Sequence, residues 1–298
     1  MNVTEKVLSF PLKKAPLLKV NDSLLDRKKI SLYIRREDLI HPYIFGNKWH
    51  KLKYNLIEAE RQKKKTLLTF GGAYSNHIYA AAAAGRLFDF KTIGIIRGEE
   101  HLPLNPILSF ARENGMILNY VSRSDYRRKA DKDFIEKLQR VYGDFYLLPE
   151  GGSNYFAVKG CSEIPASTEV IYDYIAAALG TGGTLAGLMA GAPDNVTVLG
   201  FPVLKGARFL EEDTLRLLSG YAPGKSINFE MFFDYHFGGY ARSSEKLLSF
   251  LAEKKSSIGF FADWIYFGKM LYGIYDLIEK GYFPEYKTIV ALNSAPVS

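Results

Sequence analysis

The stretch Leu179-Gly-Thr-Gly-Gly-Thr-Leu-Ala-Gly-Leu188 decides the fold, because three glycines and two threonines join an apolar strand to an apolar helix. Glycines let backbone N–H groups approach a bound anion, and threonine hydroxyls add hydrogen-bond donors. The turn fits neither a P-loop nor the Gly-x-Gly-x-x-Gly dinucleotide pattern. It therefore predicts a phosphate-binding "glycine loop", with a tight structural turn as the alternative. The loop consists of Gly180, Thr181, Gly182, Gly183 and Thr184.

Outward from this loop, strand patterns alternate with helix patterns along the chain, which favours an α/β protein with parallel sheets. Strands are predicted at residues 31–35, 66–70, 92–97, 145–148, 170–179, 196–201 and 288–292. Helices are predicted at residues 47–64, 76–88, 105–114, 132–142, 184–190, 244–251 and 269–280. The length of 298 residues is that of about two domains.

The composition excludes several classes of protein. Apolar residues make up 47% of the chain and charged residues 24%, which excludes general disorder. The single cysteine, Cys161, excludes a disulfide framework and indicates a reducing compartment. Because the first residues lack the apolar core of a signal peptide, we expect a cytoplasmic protein. Residues 174–193 are uncharged, but their glycines favour a strand, a turn and a helix over a membrane span.

The net charge of +7 raises the question of nucleic-acid binding. The basic residues fall into scattered short groups, and this distribution favours solvated surfaces over a nucleic-acid interface. We therefore expect neither a nucleic-acid partner nor a membrane partner. A basic protein nevertheless attracts anionic ligands.

The segment Phe45-Gly-Asn-Lys-Trp-His-Lys-Leu-Lys53 places several cations in the first two turns of a predicted helix. The helix dipole disfavours positive charge at that end, so some function must justify at least one of them. A lysine beside a glycine turn, such as Lys48, suits a buried amine of lowered pKa that reacts with a carbonyl carbon. A solvent-facing basic turn is the alternative.

The segment Thr69-Phe-Gly-Gly-Ala-Tyr-Ser-Asn-His-Ile-Tyr79 joins a strand to an alanine-rich helix. Ser75 is positioned to cap that helix, which leaves backbone N–H groups beside Ser75 and Asn76 for a carboxylate. A plain capped helix is the alternative. His77 by itself is more typical of a structural hydrogen bond than of catalysis.

Two tyrosines next to turns complete the set of candidates. Tyr240 follows a Gly-Gly pair, and Tyr266 directly precedes a predicted helix. With 20 tyrosines in the chain, either one also fits a core position. Histidines and cysteines show no metal-ligand spacing, so no metal site is predicted.

Taken in order, these segments resemble the fold-type II pyridoxal-phosphate enzymes, and most closely the D-cysteine desulfhydrase and 1-aminocyclopropane-1-carboxylate (ACC) deaminase group. The resemblance also includes Ile34-Arg-Arg-Glu-Asp-Leu39 and Leu148-Pro-Glu-Gly-Gly-Ser-Asn154. It implies two open twisted α/β domains, like those of the tryptophan synthase β subunit, with pyridoxal 5'-phosphate in the cleft. The large domain would comprise residues 1–50 and 155–298, and the small domain residues 51–154. A homodimer is also implied.

The resemblance assigns roles to matched positions. Lys48 would hold the cofactor covalently and later move the Cα proton, while Gly180, Thr181, Gly182, Gly183 and Thr184 would bind the phosphate. Asn76 would donate a hydrogen bond to the cofactor's ring hydroxyl, and Ser294 would face its pyridine nitrogen. Ser75, Asn76 and His77 would hold the substrate's carboxylate. Tyr240 and Tyr266 would flank the substrate.

The implied reaction is deamination of a small amino acid by α,β-elimination, which converts D-cysteine into pyruvate, ammonia and sulfide. Two alternatives are an ACC deaminase, which would give 2-oxobutanoate and ammonia, and a relative that binds the cofactor with little catalysis. Phe267 stands where ACC deaminases place glutamate and desulfhydrases place threonine, and Asn293-Ser-Ala-Pro296 replaces the family's His-Thr-Gly-Gly. Phe267 therefore favours elimination over opening of the cyclopropane ring.

Overall fold

Ten β-strands and thirteen α-helices are found in the computed structural model, which describes residues 1–295. The strands are β1 (Leu17–Lys19), β2 (Ser31–Arg36), β3 (Thr66–Gly71), β4 (Lys91–Arg97), β5 (Met116–Val121), β6 (Tyr146–Leu148), β7 (Tyr174–Leu179), β8 (Thr197–Pro202), β9 (Asn228–Met231) and β10 (Thr288–Asn293). The helices are α1 (Val3–Leu8), α2 (Ser23–Lys28), α3 (Asn47–Arg61), α4 (Asn76–Phe88), α5 (Pro106–Glu113), α6 (Arg123–Arg127), α7 (Lys132–Tyr142), α8 (Tyr155–Cys161), α9 (Glu163–Ala166), α10 (Gly183–Gly191), α11 (Phe209–Tyr221), α12 (Glu245–Ile258) and α13 (Phe267–Glu279).

The chain divides into two units, each with its own parallel sheet. The smaller unit comprises Met1–Leu12 and Lys48–Ala157, and the larger unit comprises Lys13–Asn47 and Val158–Ser298. The chain therefore changes unit at the peptide bond just before Lys48.

The smaller unit is built on a four-stranded parallel sheet in the order β5-β4-β3-β6. Helix α4 packs on one face through Ile78 and its buried alanines, while Phe70 and Ile95 pack on the other face. The register of β3 and β6 sets Thr69 opposite Leu148. Both residues lie at the carboxyl ends of their strands, where ligands bind in open parallel sheets.

The larger unit is built on a six-stranded sheet in the order β1-β2-β10-β7-β8-β9, in which only β1 is antiparallel to its neighbour. Alternate residues of β7 enter two separate cores, Ala176 on the face of α13 and Ile175 on the face of α10. Burial on both faces is expected for a parallel sheet. The carboxyl ends of β2, β7 and β10 lead directly into residues 37–39, the glycine loop and Ser294.

The N-terminal segment departs from the predicted domain division. Residues 1–12 belong to the smaller unit, whereas the sequence assigned them to the larger domain. The Glu60 carboxylate accepts hydrogen bonds from the backbone N–H groups of Val3 (2.6 Å) and Thr4 (2.8 Å). Phe10 also stacks on Trp49, with ring centroids 4.6 Å apart. These interactions attach the segment to α3.

All seven predicted strands and all seven predicted helices are present, with shifted ends in several cases. The elements that were not predicted are β1, β5, β9, α1, α2, α6, α8, α9 and α11. Strand β5 shows why, because only Met116 of its six residues is buried and no apolar alternation marks it. Within residues 1–295, no helix combines the length and apolar character that a membrane crossing requires.

Candidate active site

Gly46 sets the start of helix α3 and thereby the position of Lys48 in its first turn. Its φ of +60° lies in the left-handed region, and a β-carbon here would stand 2.1 Å from the carbonyl oxygen of Ser294. The Gly46 N–H donates to the carbonyl of Glu37 over 2.8 Å. Only glycine fits this position, since any side chain would meet the backbone that follows β10.

Asn47, the first residue of α3, connects this turn to the glycine loop. Its side-chain amide donates to Thr184 Oγ1 over 2.7 Å, and both residues are buried. The Thr184 hydroxyl still has its own proton to donate. The residue before Lys48 is thus held by the first turn of α10.

The glycine loop presents hydrogen-bond donors at the start of α10. Its N-cap residue is Gly182, and no side chain caps the helix. The first-turn N–H groups have no acceptor within the helix, and Gly183 and Thr184 are both buried. Buried donors at a helix N-terminus match the oxygens of a phosphate group, so the donor set fits the phosphate predicted here.

The space around the loop is shared with two other elements. A β-carbon at Gly180 would stand 3.1 Å from the hydroxyl oxygen of Tyr266. A β-carbon at Gly182 would stand 2.3 Å from Thr214 Oγ1 on α11. Tyr266 therefore lies beside the loop, whereas Gly182 allows close packing of α10 against α11.

Tyr240 and Tyr266, which were predicted to flank a substrate, lie next to each other in the larger unit. Their ring centroids are 5.9 Å apart with an interplanar angle of 68°. Tyr266 is fixed by Asp263, whose carboxylate accepts its backbone N–H over 2.7 Å and that of Phe267 over 2.9 Å. Burial raises the pKa of Asp263, although these hydrogen bonds and Lys269 favour its charged form.

Ser294 follows the last residue of β10, and its backbone packs on Gly46 as described above. The side chain is half-buried and carries no charge. Ser294 belongs to the segment Asn293-Ser-Ala-Pro296, which replaces the family's His-Thr-Gly-Gly. Pro296 lies outside the described residues. A neutral hydroxyl at Ser294 would tolerate an unprotonated pyridine nitrogen, whereas a carboxylate would favour the protonated form.

In the smaller unit, the start of α4 carries Ser75, Asn76 and His77. Ser75 caps the helix, its hydroxyl accepting the N–H of Ile78 over 3.4 Å. A β-carbon at Gly71 would stand 2.4 Å from Ile78, so the strand and the helix pack as closely as glycine allows. The first-turn N–H groups of Asn76 and His77 have no intrahelical acceptor and suit a carboxylate.

His77 is held as a neutral imidazole. Thr69 Oγ1 lies 2.9 Å from His77 Nε2 and donates its own proton to the Leu148 carbonyl. The Nε2 atom is therefore the donor, and Nδ1 is unprotonated and buried with no hydrogen-bond partner in residues 1–295. Burial, with the nearby charges of Lys48 and Lys51, lowers the pKa of His77 to about 3.

This protonation state limits the predicted role of His77 in carboxylate binding. The imidazole has no N–H left for a carboxylate, because its single proton is donated to Thr69. The backbone N–H of His77 is the donor that can serve a carboxylate at the start of α4. The unprotonated Nδ1 can only accept a hydrogen bond.

Sequence reasoning missed Lys51, which is 2% exposed. Its ammonium donates to the Gly151 carbonyl over 3.0 Å and to Ser153 Oγ over 3.1 Å. One turn further along α3, Asn55 Oδ1 accepts from the Asn154 amide over 2.7 Å. These bonds hold the helix that carries Lys48 to residues 149–154, a segment that the resemblance marked without assigning a role.

Phe267, which stands at the sequence position of the family's glutamate or threonine, is a core residue. Its side chain is 1% exposed and lies in the core, stacked on Phe260 with ring centroids 5.9 Å apart. The ring therefore does not act on a substrate directly. Tyr79 stacks on Phe110 within the smaller unit, with ring centroids 3.7 Å apart.

The predicted site residues thus fall into two sets. Lys48, Ser75, Asn76 and His77 belong to the smaller unit, and the glycine loop, Tyr240, Tyr266 and Ser294 belong to the larger unit. Among residues 1–295, no group of three acidic, histidine or cysteine side chains gathers as metal ligands.

Two solved structures illustrate the fold that this chain shares. An ACC deaminase homologue matches with a TM-score of 0.82 and 24% identity, covering 99% of this chain and 94% of the other. A hydrogen sulfide-producing enzyme of Fusobacterium nucleatum matches with a TM-score of 0.70 and 13% identity, covering 100% and 98%. The chain thus has the fold of the fold-type II pyridoxal-phosphate enzymes, which confirms the predicted fold class.

Relatives by sequence narrow this class. A Thermotoga maritima protein named as an ACC deaminase is 32% identical over 273 residues, 86% of this chain and 87% of that protein. The mitochondrial bifunctional D-cysteine desulfhydrase/ACC deaminase of Arabidopsis thaliana is 29% identical, covering 84% and 68%. No family model matches the chain. The chain belongs to the ACC deaminase/D-cysteine desulfhydrase family, whose cofactor is pyridoxal phosphate.

Proposed function

We propose that this chain deaminates a small D-amino acid by α,β-elimination, in the manner of a D-cysteine desulfhydrase. The observation that carries the proposal is the pairing of Asn47 with Thr184. It places the residue before Lys48 at a helix start whose buried N–H groups suit a phosphate. A pyridoxal-phosphate enzyme requires a lysine amine and a phosphate site, so a lysine that directly follows Asn47 in the chain supports the proposal.

The residues that would hold the cofactor come from both sets. The N–H groups of the glycine loop and the Thr184 hydroxyl would bind the phosphate, and the Lys48 amine would bind the aldehyde carbon. Asn76 would donate to the ring hydroxyl, and Ser294 would face the ring nitrogen. Pyridoxal phosphate, when bound, supplies an electron sink that stabilises negative charge at Cα.

The substrate would be oriented by its two ends. The N–H groups at the start of α4 and the Ser75 hydroxyl would bind the carboxylate, while Tyr240 and Tyr266 would flank the side chain. Lys48 would take the Cα proton, and the β-carbon–sulfur bond would break as thiolate leaves with the electron pair. Water then hydrolyses the unsaturated amine to pyruvate and ammonia.

ACC deamination is the second candidate, because several relatives carry that name. ACC has no Cα hydrogen, so its ring must open through a nucleophile or through removal of a β-proton. No carboxylate stands at position 267, and that side chain lies in the core. We therefore rank elimination above ring opening, and cofactor binding with little turnover is the remaining alternative.

The test separates cofactor binding from turnover. Borohydride reduction of the loaded protein should fix the cofactor to the peptide that contains Lys48. An adduct on Lys51, Lys159 or Lys269 would overturn the assignment of Lys48. The second measurement is the rate at which the loaded protein converts D-cysteine, β-chloro-D-alanine and ACC into keto acids, which identifies the reaction. Efficient conversion of ACC with inert D-substrates would reverse the ranking, and a Lys48 adduct without turnover would favour the weakly catalytic alternative.

We also propose a cytoplasmic homodimer. The lone, fully buried Cys161 suits a reducing compartment, and the resemblance to this family implies a dimer. Analytical ultracentrifugation of the purified protein measures the oligomeric state. A single monomer peak across micromolar concentrations would contradict the dimer.

A further inference from the structure

Lys269 is a buried ammonium group that the proposed reaction does not use. It lies on α13 and is 1% exposed. Its Nζ atom donates to the backbone carbonyl of His236 over 2.8 Å and to that of Gly239 over 2.7 Å. A lysine is rarely buried so fully, and burial lowers its pKa to about 8.

The two carbonyls belong to a turn with an unusual backbone. Four of its residues have positive φ, with values of 49° at Phe237, 90° at Gly238, 118° at Gly239 and 51° at Ala241. Phenylalanine and alanine rarely adopt this conformation, because their side chains crowd the backbone at positive φ. Such a turn persists only where the surrounding structure holds it.

Lys269 binds the turn just before Tyr240. Gly239 directly precedes Tyr240, and Tyr266 lies three residues before Lys269, at the start of the same helix. The ring of Tyr240 meets the ring of Tyr266 edge to face. The Lys269 ammonium therefore links the backbone next to one tyrosine to the helix that begins at the other.

We propose that Lys269 is a positioning residue that holds the turn of residues 236–241 so that Tyr240 stays against Tyr266. The role of the two tyrosines in this inference rests on the proposed function. The hydrogen bonds from Lys269 to the turn do not depend on that function. An apolar side chain would fill the same space without the desolvation cost of an ammonium, so core packing does not account for a lysine. The two backbone acceptors account for it, together with the negative charge of the buried Asp263 carboxylate, which favours the ammonium form of Lys269.

Hydrogen exchange of the protein without added substrate tests the link. Lys269→Met keeps an unbranched side chain only one heavy atom shorter and removes all three donors. We expect amide exchange in residues 236–242 to rise at least tenfold, with exchange in β7 and β10 unchanged. Lys280→Met is the matched control, because Lys280 is an exposed lysine at the end of the same helix, and it should leave residues 236–242 as in the wild type.

Lys269→Gln provides a second variant if the methionine variant does not fold, since the shorter amide remains polar but does not reach both carbonyls. It should loosen the same residues. Unchanged exchange in residues 236–242 in a folded variant, or faster exchange spread evenly over both sheets, would overturn the proposal. The second pattern would make Lys269 a residue of general stability only.

A kinetic measurement with the cofactor-loaded enzyme adds the functional readout. In Lys269→Met, kcat on β-chloro-D-alanine should fall at least tenfold while the cofactor's absorbance spectrum and retention stay unchanged. Equal kcat in variant and wild type would show that Tyr240 needs no such support. Absence of turnover in the wild type would contradict the proposed function instead, and the exchange result would still decide whether Lys269 holds the turn.

Discussion

The Asn47 side-chain amide donates to Thr184 Oγ1 over 2.7 Å, across 137 residues of sequence. This bond joins the first residue of α3 to the first turn of α10. Both partners are buried, so neither can exchange the bond for water without opening the structure. The residue directly before Lys48 in the chain is thus bonded to the glycine loop through one side chain.

Removing both partners of this bond should cost less than the sum of the two single losses. Asn47→Ala leaves the Thr184 hydroxyl buried with one acceptor site unfilled, and we expect a loss of about 1–3 kcal/mol in the free energy of unfolding. Thr184→Val is the matched partner, and the double variant should show a coupling energy of about 1 kcal/mol. Urea denaturation of the four proteins measures this. Strictly additive losses would contradict a direct interaction.

Gly46→Ala should destabilise the protein more than an equally strained control. Both Gly46 (φ +60°) and Gly281 (φ +73°) have left-handed backbone, but only at Gly46 would a β-carbon meet another atom, the Ser294 carbonyl. We expect Gly281→Ala to cost about 1 kcal/mol and Gly46→Ala several kcal/mol. Thermal unfolding of both variants checks the difference. Equal losses of stability in the two variants would mean that the contact with the Ser294 carbonyl does not exclude a side chain at position 46.

His77 should make stability depend on pH in the mildly acidic range. The native pKa of about 3 lies below the ordinary value of 6.5, so the unfolded chain alone takes up this proton between those values. The contribution of the neutral His77 to the free energy of unfolding is complete above pH 6.5. Below that pH it falls by about 1.4 kcal/mol per pH unit. Between pH 7 and pH 5, the wild type should therefore lose about 2 kcal/mol more than His77→Gln.

Denaturation midpoints at the two pH values measure this difference. The control is His101→Gln, which changes an exposed histidine and should keep the pH dependence of the wild type. If His77→Gln shows the same pH dependence as the wild type, the imidazole is not held neutral.

Phe267→Glu should disrupt the core and should not create an ACC deaminase. The ring is 1% exposed and packs on Phe260, so a carboxylate there would be desolvated and would not stack on that neighbouring ring. We expect a loss of about 3–5 kcal/mol in unfolding free energy. Phe261→Glu, at a nearby ring that is 53% exposed, should cost less than about 1 kcal/mol. A stable Phe267→Glu variant that opens ACC would refute this view.

The sequence predicted those parts of the fold whose signals are local. The glycines and threonines at 180–184 mark the change from strand to helix, and Ser75 marks the start of α4 at Asn76. Strands β5 and β9 were not predicted. Both lie at sheet edges, where side chains of mixed exposure give no clear apolar period.

Interactions between distant segments could not be predicted in the same way. Nothing local distinguishes Lys269 from a surface lysine, since its acceptors are backbone carbonyls about thirty residues earlier. The burial of the Phe267 side chain could not be predicted either. A residue's place in a motif does not say which face of a helix it occupies. The tautomer of His77 depends on Thr69 and Leu148, which meet only in the folded sheet.

Strand β10 gives the order in which a nascent chain can fold. It lies between β2 and β7 in the larger sheet, although it is the last strand described. The four strands of the smaller sheet lie within residues 66–148 and can pair during synthesis. The larger sheet stays divided until residues 288–293 leave the ribosome, and until then β2 and β7 expose unpaired edges that other chains can join.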